Sequence, residues 1–126
     1  MKIAKTILQV MLIGQFSFFG ISKIIGTAEM VSTFSAFGFP PTVRVLVGLV
    51  EVAAVLLLAY GFINRKSVYN GAVLLLILTI GATFCHIFLE GNLGNAIPPV
   101  IVFLQTALVV WLHSRTTEAK FELSFA

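Results

Sequence analysis

Residues Val43 to Ile63 read VRVLVGLVEVAAVLLLAYGFI, an apolar run whose only charged residues are Arg44 and Glu51. A helix needs about 20 residues, at about 1.5 Å each, to cross a hydrocarbon core of roughly 30 Å. This run is long enough. It does not alternate apolar with polar at period two, as the lipid-facing wall of a barrel must, so it reads as a transmembrane helix.

Working outward, three further runs meet the same requirement: Lys5 to Ile25, Tyr69 to Leu89 and Ile97 to His113. The last is the shortest and places Trp111 and His113 at its end as interfacial anchors. Residues that stop helices or prefer water separate the runs. Pro40 and Pro41 precede the second span, Asn64 to Ser67 follow it, and Gly91, Asn92, Gly94 and Asn95 come before Pro98 and Pro99. Proline in a first helical turn sacrifices no helical hydrogen bond. Between the first two spans, Thr27 is placed to cap a helix, Met30, Phe34 and Phe37 recur at i, i+4 and i+7, and Gly38 ends the pattern, which predicts a short interfacial helix, with an irregular loop as the alternative for so short a run. The expected fold is all-α: a polytopic membrane four-helix bundle with that short helix between spans 1 and 2. Residues 1–126 form one domain with a tail over 114–126.

Composition agrees. Apolar residues make up 59% of the 126, charged residues 10%, and mean hydropathy is +1.06. A soluble domain carries about 25% charged residues, so most of this surface must face lipid. A single cysteine excludes a disulfide scaffold, and a scattered net charge of +3 offers no basic face for nucleic acid. The basic residues give the orientation instead. Lys2, Lys5, Arg65, Lys66, Arg115 and Lys120 fall on one side of the spans, and Lys23 and Arg44 on the other. The positive-inside rule then expects a multi-pass inner (plasma) membrane protein with both termini cytoplasmic. Bulky Ser17-Phe18-Phe19-Gly20 does not suit signal cleavage, and the tail holds no cysteine for prenylation.

Within the spans, Glu51 stands out. It lies about eight residues into its helix, roughly 12 Å deep, where a carboxylate costs about 2.5 to 3.5 kcal/mol unless it is protonated, paired or facing a wet cavity. Candidate partners gather at the same outer end. Lys23 closes the first span, on a face with Gly20, Phe16 and Gln9, and Arg44 precedes Glu51 by about two turns. His86 ends the third span, with Glu90 at i+4 and Thr83 at i−3. The expected polar cluster is Lys23, Arg44, Glu51 and His86, with Glu90 secondary. A register-fixing lock, a ligand or proton site and a protein contact all remain open. No metal site is expected, because His113 lies at the opposite face and an H-x-x-x-E pair supplies too few ligands. Cys85 has no partner, and Gly81, Ala82 and Cys85 read as a helix-packing stripe. Gln15 and Gln105 are placed to bond across the bundle, and the phenylalanines read as bilayer-compatible filler. Phosphate loop, haem-attachment motif and paired nucleophile and base are all missing, so a free-standing enzyme is not expected.

The chain resembles the DoxX-like family of small four-helix membrane proteins. The resemblance rests on Gly20-Ile21-Ser22-Lys23, Phe34-Ser35-Ala36-Phe37-Gly38-Phe39-Pro40, Gly48-Leu49-Val50-Glu51 and Gly81-Ala82-Thr83-Phe84-Cys85-His86, in that order. It implies Lys23, Glu51 and His86 as family-like polar residues; Arg44 comes from helical phase alone. Members include subunits of thiosulfate:quinone oxidoreductases, components of bacterial membrane redox complexes, and animal relatives that assist assembly of ion-channel receptors. The implied role is a non-catalytic subunit, or a binder of quinone or another lipophilic ligand, in a membrane oxidoreductase complex. An assembly protein for a client membrane protein is the alternative, and an oligomeric small-molecule transporter the third. No cofactor is evident beyond a quinone. The partners expected are the bilayer, a redox complex or client, and a second copy of the chain.

The distribution of basic residues makes a direct prediction. Reporters fused after Lys66 and after Ala126 should be cytoplasmic, and one fused after Asn92 external; an active periplasmic reporter at Ala126 contradicts the four-span topology.

Overall fold

The computed structural model describes residues 2–125, with the side chains of 3–114. Five α-helices follow one another: α1 (Lys2–Ile25), α2 (Ala28–Phe37), α3 (Pro41–Tyr60), α4 (Lys66–Phe84) and α5 (Leu93–Phe125), with a π-helical turn at Cys85–Leu89 extending α4. No strand occurs among the described residues. Among the described residues, four stretches are long and apolar enough to cross a membrane: Ile3–Ile25, Pro41–Tyr60, Lys66–Leu89 and Leu93–Ser114. α2, with 10 residues, reaches only about 15 Å and is too short to cross.

The long helices pack in sequence, α1 on α3, α3 on α4 and α4 on α5, and α5 closes more lightly onto α1. Gln9 meets Leu58 while Gly20 meets Gly48, so α1 and α3 run antiparallel. Each long helix contributes to one core, through Leu12 and Phe16, Ala54 and Leu58, Val68 and Leu75, and Val102 and Val109. Lipid tails are as apolar as these side chains, so close fit and internal hydrogen bonds must hold the helices together. Gly20 and Gly48 provide the fit. A Cβ on Gly48 would lie 2.8 Å from the Gly20 carbonyl oxygen, and one on Gly20 would lie 3.1 Å from that of Gly48. At the opposite end, fully buried Gln9 donates from Nε2 to the Leu58 carbonyl at 2.7 Å and accepts from Arg65 Nη1 at 2.8 Å.

Helix α2 is built as its sequence suggests. The Thr27 hydroxyl accepts from Met30 N–H. At the other end Gly38 adopts φ 82°, Gly38 N–H bonds to Ser35 O, and Phe39 N–H bonds to Phe34 O. That is a Schellman stop, completed by the contact of the Phe34 and Phe39 rings, whose centroids lie 6.4 Å apart.

Several boundaries move. The second span ends at Tyr60 instead of Ile63, because Phe62, Ile63 and Asn64 turn back through bonds to the Ala59 and Tyr60 carbonyls and Gly61 lies directly beneath Val68. The third begins at Lys66, after the Asn64 side chain accepts the Lys66 N–H. The fourth begins at Leu93 because Asn92 Oδ1 accepts from Asn95 N–H and starts the helix early. Pro98 and Pro99 therefore sit in its second turn, where they deprive the Gly94 and Asn95 carbonyls of their i+4 donors. The backbone over 114–125, expected as a tail, continues α5. The amides of Gln15 and Gln105 do not bridge the bundle: the Oε1 of each is buried without a partner among the described residues.

The Gly20–Gly48 crossing can be tested against a neutral site on the same bundle. Gly48→Ala must displace backbone or Lys23 Cβ, and overpacking of this kind costs about 1 to 3 kcal/mol. A clear drop in melting temperature in detergent is expected. Gly14→Ala enters open space and should leave the melting temperature unchanged or slightly higher.

Candidate functional site

Antiparallel packing brings the end of α1, the start of α3, the π-turn and the start of α5 to one end of the bundle. There they surround a cavity of about 660 Å³. Phe16, Phe19, Phe34, Phe37 and Phe39 contribute rings to its wall, and Lys23, Glu51, His86 and Asn95 contribute polar groups.

Lys23 and Glu51 form the polar floor. Lys23 Nζ lies 2.8 Å from Glu51 Oε1, with the lysine side chain 13% and the glutamate side chain 5% exposed. The ammonium also stands 5.6 Å from the Phe19 ring centroid, a cation–π approach that offsets part of its lost hydration. This pair exists because Gly20 and Gly48 let the helices approach one turn away from it. The other carboxylate oxygen, Glu51 Oε2, is buried with no hydrogen-bond partner among the described residues.

The rim is built from the π-turn. Glu90 N–H reaches back five residues to the Cys85 carbonyl, and the wider turn sets His86 Nδ1 2.8 Å from Glu90 Oε2. Asn95 Nδ2 donates to Glu90 Oε1, which ties the rim to α5. The His86 and Asn95 hydrogen bonds hold the Glu90 carboxyl below the usual glutamate range. Glu90 thus remains an acceptor, and His86 Nδ1 serves as the donor toward it. His86 also meets Phe37 edge to face, with ring centroids 4.8 Å apart, so the rim and α2 are in contact.

The expected cluster is therefore only partly assembled. Lys23, Glu51 and His86 all line the cavity, and Glu90 supports His86 from the rim. Arg44 is the correction. Its Nε donates to the Lys23 carbonyl at 2.9 Å and its guanidinium covers Gly26. It caps the C-terminus of α1, where unpaired carbonyls and the helix dipole favour a cation. Sharing a face with Glu51 placed Arg44 near the right end, but the nearer acceptor is a carbonyl of the neighbouring helix. The small-residue reading of α4 changes as well. Gly81, Ala82 and Cys85 line the cavity, and a Cβ on Gly81 meets nothing within 4 Å, so these small residues leave space where a packed interface was expected.

Sequence reasoning missed the phenylalanine wall, the π-turn and Asn95. A phenylalanine has the same sequence signature whether it faces lipid or a cavity. Asn95 gave one signal, its position three residues after Asn92, which is capping spacing. Among the described residues no group of three or more His, Cys, Asp or Glu is arranged to hold a metal ion.

Compared with known proteins, the chain matches the sequence model of the DoxX-like family over residues 7–110. It matches no curated protein and no solved structure.

The ion pair yields a mutational prediction. Glu51→Ala strands the Lys23 ammonium in low dielectric, which costs about 3 to 5 kcal/mol, and should sharply reduce the monodisperse protein recovered in detergent. Glu51→Ala with Lys23→Met should recover most of it. Glu51→Ala with Arg44→Met should not, because Arg44 serves the α1 carbonyl. Rescue by the Arg44 variant instead of the Lys23 variant would reassign the partner.

Proposed function

We propose a role that starts from one established point: the chain belongs to the DoxX-like family of membrane proteins. It acts as a binder of a lipophilic aromatic ligand of the quinone type, as a non-catalytic subunit of a membrane oxidoreductase complex. The observation that carries this reading is the cavity of about 660 Å³, within the range of small-ligand pockets, whose mostly apolar wall includes five phenylalanines and carries polar groups at its base and rim.

The residues present suit such a head group. The rings of Phe16, Phe19, Phe34, Phe37 and Phe39 offer edge and face contacts to a planar ring, and Lys23, Glu51 and His86 offer the few polar contacts that orient it. When bound, a quinone-type group supplies two-electron redox chemistry, and the chain's own residues position it and keep water from its faces. α2 helps by closing the cavity from above. It hangs between Gly26 and Gly38, both at positive φ, and its Phe34 and Phe37 are turned inward and buried. In the orientation that the basic residues support, both termini are cytoplasmic in the inner membrane, and the cavity opens at the outer leaflet. A lipid-soluble ligand then has access without crossing the bundle.

Organic extraction of gently purified protein should recover a lipid-soluble aromatic compound in near-stoichiometric amount. Ala82→Phe, which fills the cavity from the α4 wall, and His86→Ala, which removes a rim contact, should each lower that recovery several-fold while leaving the melting profile near wild type. Extracts without an enriched compound, from protein that is folded and monodisperse, overturn the ligand reading.

A further inference from the structure

One acceptor on a residue that lines the cavity has no donor among the described residues, and it identifies the ligand's chemistry. Paired as a salt bridge with Lys23, Glu51 has only acceptor oxygens. Oε1 is engaged at 2.8 Å, and Oε2 is buried, in a residue 4% exposed, with no donor among the described residues. His86 Nδ1 is committed to Glu90 Oε2 at 2.8 Å. The Gly94 and Asn95 segment lines the cavity too, and its two carbonyls lose their helical donors to Pro98 and Pro99. The bonded donors of the wall are committed elsewhere: the Lys23 ammonium to Oε1, the Thr33 and Thr79 hydroxyls to the Glu29 and Leu76 carbonyls, and Asn95 Nδ2 to Glu90.

A buried acceptor left unmatched is costly, and a hydrogen bond to a charged group is worth more than one between neutral partners. A ligand carrying only carbonyl oxygens cannot satisfy Oε2 and meets it acceptor to acceptor. We infer that the ligand of this cavity is an aromatic hydroxyl compound that donates its O–H to Glu51 Oε2, either a phenol or the hydroxylated member of a quinone-type pair. The inference rests on the ligand-binding reading above and adds to it the state of the ligand that the protein selects.

A matched pair of probes isolates the hydroxyl. 4-Hexylphenol donates a hydrogen bond, while 4-hexylanisole has the same ring and tail and donates none. Equilibrium dialysis of protein-loaded nanodiscs against empty ones, which removes the lipid-partition contribution, should give a Kd at least about tenfold lower for the phenol, the scale of one charge-assisted hydrogen bond. In Lys23→Met/Glu51→Leu, where both charges are replaced by apolar groups of similar volume and the fold is retained, the ratio should fall to about one. Equal affinities in wild type mean that water or a rearranged side chain satisfies Oε2, and tighter binding of the anisole means that Oε2 itself carries a proton. Either result overturns the hydroxyl inference and leaves the cavity a lipophilic site. Binding of neither probe overturns both the inference and the ligand reading.

Discussion

The arrangement depends on the 2.8 Å contact between Lys23 and Glu51 at the place where α1 crosses α3. A carboxylate in a membrane helix is tolerated only with a partner or a wet surface, and the partner here is on another helix. That fixes the depth at which the two helices meet, because sliding α1 by one turn would carry the ammonium about 5 Å away. Gly20 and Gly48 make the contact attainable, since side chains at either position would hold the backbones apart. The charges set the register and the glycines set the distance.

The cavity follows from that crossing and from departures from regular helix on the opposite wall. α1 and α3 are drawn together, while α4 is left without bulk at Gly81 and Ala82, and at Cys85 it widens into a π-turn. α5 answers with Pro98 and Pro99 in its second turn, where two backbone carbonyls lose their donors. Irregular backbone at membrane depth persists where it borders protein or a cavity, since lipid cannot satisfy exposed polar groups. Two distant elements thus become irregular at the same end of the bundle. His86, Glu90 and Asn95 join them through side-chain bonds that neither helix makes alone.

The outline of this fold was legible because lipid imposes a length on apolar runs. Four spans, the short α2 with its Thr27 and Gly38 ends, and the gathering of Lys23, Glu51 and His86 at one end all follow from the positions of polar residues in such runs. Span ends were less legible. Tyr60 and Leu93 are terminal because of hydrogen bonds by Gly61, Asn64 and Asn92, which compete with apolar continuation in a way hydropathy does not register. Arg44 failed for a different reason. Helical phase ranks partners on one helix, but Arg44 found the end of another, and an open α1 C-terminus is a property of tertiary placement. The phenylalanines were illegible because lipid and an aromatic cavity select the same residue.

Glu51 was open to two readings, as a register lock or as a ligand-handling group, and on the proposed reading these are two halves of one role. Oε1 belongs to the lock, and Oε2, buried and unpartnered among the described residues on a residue that lines the cavity, is the atom the inferred hydroxyl would meet. With Oε2 unpartnered among the described residues, part of the ion pair's desolvation cost is not offset by the protein itself. A ligand that donates to Oε2 removes that cost, so part of its binding energy comes from relief of strain already present in the bundle. Anything that binds the native state alone also stabilises it, in proportion to RT ln(1 + [L]/Kd). The helices that Glu51 holds in register should therefore be held more firmly when the cavity is filled. On the proposed reading, a group that both sets the crossing and meets the ligand couples occupancy of the cavity to the packing of α1 on α3 without any moving domain.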